Sequence, residues 1–114
     1  MGNVKRVYIG TSGWNYKHWK GPFYPSDLSA SQWFSYYAGK FHTVEINNSF
    51  YQLPAKQTFQ QWGEAAPEGF VFSVKASRYI THMKKLKDPD EPVSTLMDHA
   101  AELGEKRGPI LFQL

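Results

Sequence analysis

Four short apolar runs rich in β-branched and aromatic residues recur along this chain, and a helix-spaced apolar stripe lies between each consecutive pair. The runs are Val7 to Gly10, His42 to Asn47, Phe70 to Lys75 and Ile110 to Leu114. The first stripe is Trp33, Phe34, Tyr37, Ala38 and Phe41; the second, weaker, is Phe59, Trp62 and Ala66. The third is Val93, Leu96, Met97, Ala100 and Leu103, and it stops at Gly104. The order is therefore βαβαβαβ, which predicts a parallel sheet joined by right-handed crossovers with a helix over each. No internal repeat, low-complexity tract or linker interrupts this order.

Strand side chains alternate between faces, so each run splits by parity. Val44 and Ile46 share one face, with Thr43, Glu45 and Asn47 on the other. Phe70, Phe72 and Val74 oppose Val71, Ser73 and Lys75; Ile110, Phe112 and Leu114 oppose Leu111 and Gln113; Val7 and Ile9 oppose Tyr8 and Gly10. Each strand thus has one strongly apolar face and one mixed face. An open sheet covered by helices on both sides needs two apolar faces. A closed (β/α)8 TIM-like barrel needs one for its outer helices, its interior turning polar toward the C-terminal mouth. A full barrel takes about 250 residues. On this reading residues 1–114 are the N-terminal half of one barrel, holding its first four strands. The closing run, GPILFQL, reads as a buried strand with nothing to cover it. The expectation is a fragment of a longer protein, or a chain that pairs with a second copy as a homodimer through exposed strand edges.

Composition narrows the function classes. Of the 114 residues, 41% are hydrophobic and 17% aromatic, which places the chain among globular rather than disordered sequences. No run of about 18 apolar residues and no signal-peptide pattern is present, so the expectation is a cytoplasmic protein with no membrane association. With no cysteine, disulfides, thiolate zinc sites and thiol nucleophiles are excluded. The net charge of +3 suits an anionic ligand without demanding nucleic acid, because only Lys84, Lys85 and Lys87 cluster. The four histidines show no HxH or HExxH spacing, so no metal and no cofactor is expected.

Glu45, Asn47, Lys75 and Gln113 fall at or near the C-terminal ends of their strands. Glu45 and Lys75 come from consecutive strands with the same orientation, and pairing them would satisfy both charges inside a barrel. Three loops would rim the mouth. The first, GTSGWNYKHWKGPFYP, carries Trp14, Tyr16, Trp19, Phe23 and Tyr24, which either line a flat pocket for a sugar ring or a base or pack the loop as a lid. Its GTSG lacks the lysine and spacing of a phosphate-cradling loop. The second, NNSFYQLP, offers Asn48, Ser49 and Tyr51; the third, KASRYITHMKK, offers Ser77, Arg78, Tyr79 and His82. Lysine and arginine beside hydroxyls suit an oxyanion, and His82 suits proton transfer near neutral pH.

These loops and runs, GTSGWNYKHWKGPFYP, YAGKFHTVEINNSFYQLP, FVFSVKASRYITH and GPILFQL, together resemble the domain-of-unknown-function 72 family, also called YecE-like, from about Val7 to Leu114. The resemblance implies a (β/α) barrel with no established activity. It extends to Gly10, Ser12, Gly13, Trp14, Tyr16, Trp19, Phe23, Tyr24, Glu45, Asn47, Ser49, Tyr51, Lys75, Ser77, Arg78 and His82. The expectation is a barrel that binds a small polar or anionic metabolite at its mouth, with acid/base enzyme chemistry in the full-length protein. Glu45, Lys75 and His82 are the candidate catalytic residues. Ser12, Trp14, Tyr16, Asn47, Ser49, Tyr51, Ser77 and Arg78 are the candidate ligand-binding residues. The alternatives are a nucleic-acid-binding module using the aromatic loop with Arg78 and the lysine cluster, or an inactive fragment.

Overall fold

The computed structural model describes residues 7–47, 52–76, 78 and 90–113. Four parallel strands, β1 (Thr11–Ser12), β2 (Thr43–Ile46), β3 (Val71–Lys75) and β4 (Arg107–Leu111), form one sheet in the order β1-β2-β3-β4. Between them run helices α1 (Trp33–Lys40), α2 (Lys56–Ala65) and α3 (Asp90–Ala100). The α/β order expected from the periodicity is the order found.

Helix α1 follows its stripe: Trp33, Phe34, Tyr37 and Ala38 are buried, while Gly39 and Lys40 face out. Phe34 stacks on Phe72 at 5.7 Å between ring centroids and meets Phe70 edge-on at 5.6 Å, tying α1 to β3. Burial of each such side chain stabilises by roughly 1.5–3 kcal/mol. Helix α3 opens with Asp90, Glu91 and Pro92, acids that complement the N-terminal dipole and a proline whose missing N–H costs nothing there. It buries Leu96 and Ala100, then tightens into a 3-10 segment, Ala101–Lys106, that buries Leu103. Met97, expected inside, is 37% exposed. At the end of α2, where carbonyls lose their helical partners, Lys106 Nζ donates to the Gly63 and Ala66 carbonyls at 2.6 and 2.7 Å.

Two polar pins hold the interior. The buried Tyr37 hydroxyl accepts from the Thr11 N–H at 2.9 Å and donates to the Thr43 carbonyl at 2.8 Å, so one side chain of α1 joins β1 to β2. The Tyr24 hydroxyl, also buried, donates to the Trp14 carbonyl, and its ring stacks on Trp33 at 5.0 Å. Burial, reinforced by the neighbouring Tyr37, pushes the Tyr24 pKa up to about 12.

Both outer strands depart from the expected spans. Val7 and Ile9, read as the core of the first strand, are 82% and 72% exposed and carry no ladder pairing; the pairing begins at Thr11, opposite Val44. With a neighbour on only one side, that apolar run gains little from the described chain. The fourth strand starts at Arg107, three residues before the expected Ile110. Gly108 and Pro109, which open the GPILFQL run read as a strand, lie inside it, at an irregularity where Phe72 pairs with Arg107 and Val74 with Ile110. Three steps along β4 therefore match two along β3, a bulge that accommodates Pro109 without a ladder N–H. Gly108 is required by close approach: a Cβ there would stand 2.5 Å from Val71 Cγ1 and 3.0 Å from the Phe72 carbonyl oxygen.

Replacing Tyr37 with phenylalanine removes the hydroxyl that accepts from the Thr11 N–H and Oγ1 and donates to the Thr43 carbonyl, stranding two backbone groups, so denaturant unfolding should show a loss of about 1–3 kcal/mol. A loss below about 0.5 kcal/mol, the range of an ordinary surface change, contradicts that role. For Tyr24, the folded state holds its proton more tightly than the unfolded chain, whose value is the ordinary 10.0. The stabilisation is therefore complete below pH 10 and fades as pH rises toward about 12. Tyrosinate absorbance should show a last-titrating group that disappears in Tyr24→Phe; an unchanged titration curve contradicts the assignment.

Candidate functional site

The alternation of β2 and β3 separates two surfaces. Val44, Ile46, Phe72 and Val74 are at most 1% exposed beneath the helices, whereas Thr43, Glu45, Val71, Ser73 and Lys75 are half-buried on the opposite side. Cα pairing sets Ser12 beside Glu45 and Glu45 beside Ser73. Lys75 is two residues beyond Ser73, on the same face and diagonal to Glu45. From strand rise and spacing, the Cα atoms of Glu45 and Lys75 are about 8 Å apart, within reach of two long side chains. Both lie on the face opposite the described helices, the helix-free face among the described residues, as parity requires.

Ser12 Oγ donates to Glu45 Oε1 at 2.9 Å, which orients the carboxylate. The Gly13 N–H donates to the Glu45 carbonyl at 2.8 Å, continuing the β1–β2 pairing one residue past the strand. Gly10, Thr11, Ser12, Thr43, Glu45 and Ser73 line a shallow cleft of about 280 Å³ over this polar face. Four hydroxyls and a carboxylate in that space can accept from and donate to a polar ligand. Ser73 was legible in the parity split yet carried no sequence motif that marked it as a site residue. Among the described residues, no three histidine, aspartate or glutamate side chains converge as a metal would need.

A second arrangement gathers at the end of β2. The Tyr16 hydroxyl donates to the Ser12 carbonyl and accepts from Asn47 Nδ2 at 3.1 Å. Gly13 makes this possible, with φ at 77° and a Cβ position only 2.5 Å from the Tyr16 hydroxyl and 3.2 Å from Asn47 Oδ1. Any side chain there would be strained and would push the pair apart. Trp14 turns to the helix side and wedges between α1 and α2, with its ring 4.9 Å from Phe34 and 5.3 Å from Trp62. A cleft of about 520 Å³ opens around this wedge. Its polar lining includes Asn15, Ser31, Ser35 and Gln61, which sequence patterning did not single out because isolated polar residues on a helix surface look alike.

The other aromatics of the first loop pack it. Trp19, Phe23 and Tyr24 form a continuous cluster with Tyr36, Tyr37 and Phe41. Of the sequence candidates, Ser12, Tyr16, Glu45 and Asn47 come together around the ends of β1 and β2, with Lys75 on the same face and Trp14 beneath. Arg78 is exposed beyond the end of β3. Ser49, Tyr51, Ser77 and His82 lie outside the described residues, as do Lys84, Lys85 and Lys87.

Comparison with known proteins gives a consistent family assignment. The chain is 28% identical to the UPF0759 protein YunF of Bacillus subtilis over 92 residues, covering 81% of this chain and 32% of that protein. It is 27% identical to the UPF0759 protein YecE of Escherichia coli K12 over 108 residues, covering 95% of this chain and 37% of that one. Two crystal structures of a DUF72 family protein from Enterococcus faecalis V583 superpose with TM-scores of 0.64 and 0.68, at 25% and 22% identity. They match 76% and 90% of this chain and 37% and 38% of theirs. The chain thus spans about a third of the length of the curated relatives it matches. The family described as "Protein of unknown function DUF72" matches residues 8–114, and this chain belongs to it.

Proposed function

We propose that the helix-free face of the sheet, at the C-terminal ends of β2 and β3, binds a small polar or anionic metabolite. The observation that supports this reading most is the register, which aligns Ser12, Glu45, Ser73 and Lys75 on one side of the sheet, the first three lining a cleft, with the described helices on the other. A buried or half-buried carboxylate and ammonium contribute little to stability compared with apolar residues of the same size, so a ligand is the better reason for their presence. In this proposal Lys75 and Arg78 attract the anionic group. Ser12 and Ser73 fix its orientation, and Glu45, held by Ser12, is the group placed to take or give a proton.

The same reading makes β1 to β4 the opening strands of a closed (β/α) barrel, with further mouth residues contributed over the remaining length of the full-size relatives. Acid/base catalysis belongs to that complete mouth, and a cytoplasmic setting belongs to the same proposal. Among the described residues no helix is long and apolar enough to cross a membrane.

Titration of the isotope-labelled chain with inorganic phosphate and with citrate, followed by amide NMR, tests the site. The expected result is perturbation centred on Ser12, Glu45 and Ser73, with Lys75→Gln weakening binding by about tenfold, the equivalent of about 1.4 kcal/mol. If neither anion moves those amides, or if Lys75→Gln binds as well as the parent chain, the proposal is wrong.

A further inference from the structure

We propose that the cleft between α1 and α2 is a binding site for a neutral carbohydrate, separate from the polar face of the sheet. Its volume of about 520 Å³ lies within the range of small-molecule sites. Three aromatic rings form its apolar wall: Trp14 as the central wedge, Phe34 on α1 and Trp62 on α2. The same lining includes Asn15, Asn47 and Gln61, which carry amides, and Ser31 and Ser35, which carry hydroxyls. A sugar ring carries apolar C–H patches that lie against aromatic faces, and vicinal hydroxyls that match the paired donor and acceptor of a carboxamide.

Charge and ring geometry select this class over its rivals. No charged residue is present among the described residues of the lining, so a phosphate or nucleic-acid backbone would find no counterion. Trp14 meets Phe34 at 59° and Trp62 at 87°, an angular corner without the parallel walls that would sandwich a planar base. A puckered ring fits a corner better than a flat one does. The site is also preorganised: Asn47 is held by the Tyr16 hydroxyl, which is itself bonded to the Ser12 carbonyl.

The described lining of the cleft comes from the loop after β1, the turn before α1, the end of β2 and helices α1 and α2. β1 and β4 are the edges of the described sheet, so strands added at either edge pair with them and not with β2, whose end lines the cleft. This separates it from the polar face, whose mouth extends into the part of the family's length that this chain does not span. The two sites meet only at the Tyr16–Asn47 pair on the rim.

The test uses the whole chain with methyl glucoside, N-acetylglucosamine and maltotriose as probes, and adenosine as the competitor class. Saturation-transfer NMR should show aromatic protons of the protein transferring to sugar C–H groups, with affinity in the millimolar range. Gln61 and Ser35 are exposed, so Gln61→Ala and Ser35→Ala should melt as the parent does while weakening saccharide binding several-fold. Glu45→Gln should leave saccharide affinity unchanged even if it alters anion binding on the polar face. The proposal is overturned if no saccharide shows transfer, if Gln61→Ala and Ser35→Ala both bind as tightly as the parent, if adenosine binds there in preference to every sugar, or if Glu45→Gln abolishes saccharide binding.

Discussion

The polar side of this molecule depends on one constraint, the two-residue repeat of β2 and β3 held in parallel register. Because Val44 pairs with Phe72 and Ile46 with Val74, four apolar side chains point together at the helices. Thr43, Glu45, Ser73 and Lys75 are then forced to the other side, whatever their individual preferences. A slip of one residue would send the charges into the aromatic layer under α1 and the apolar residues out of it, at a cost of several side-chain burials. The core fixes the register, and the register places the carboxylate and the ammonium.

Much of this was legible from period alone. The stripes of α1 and α3 and the parity of β2 and β3 are strong because most of their apolar residues, Met97 excepted, pack against the core, so the pattern and the packing agree. The sheet edges were not legible. Val7 and Ile9 look like a core strand, but with pairing on one side only the ladder begins at Thr11. In β4 the strand begins at Arg107, ahead of the apolar run, and holds Gly108 and Pro109, neither of which favours a strand interior. Here the close approach of Val71 requires glycine, and the bulge makes room for proline. Such requirements come from a neighbour distant in sequence and leave no local signal.

The site was legible in the same uneven way. Glu45, Asn47 and Lys75 announce themselves as polar residues ending apolar strands, and Trp14 and Tyr16 as aromatics in a glycine-rich loop. The division of labour within that loop was hidden. Trp19, Phe23 and Tyr24 pack against α1, while Trp14 leaves them to separate α1 from α2, a choice set by contacts with Phe34 and Trp62. Gly13 connects the two regions: its positive φ turns the chain so that its N–H completes the β2 pairing and Tyr16 can reach Asn47.

The placement of Glu45 and Lys75 on one helix-free face can be measured directly, because the chain has no cysteine to interfere. In single variants Glu45→Cys, Lys75→Cys, Ile46→Cys and Val74→Cys, the rates of reaction with a small maleimide report which side chains face solvent. The account predicts fast labelling at positions 45 and 75 and protection at 46 and 74, and a short bismaleimide should bridge the double variant at 45 and 75. Protection at 75 together with exposure at 74, or bridging of 45 to 74 in preference to 75, would contradict it.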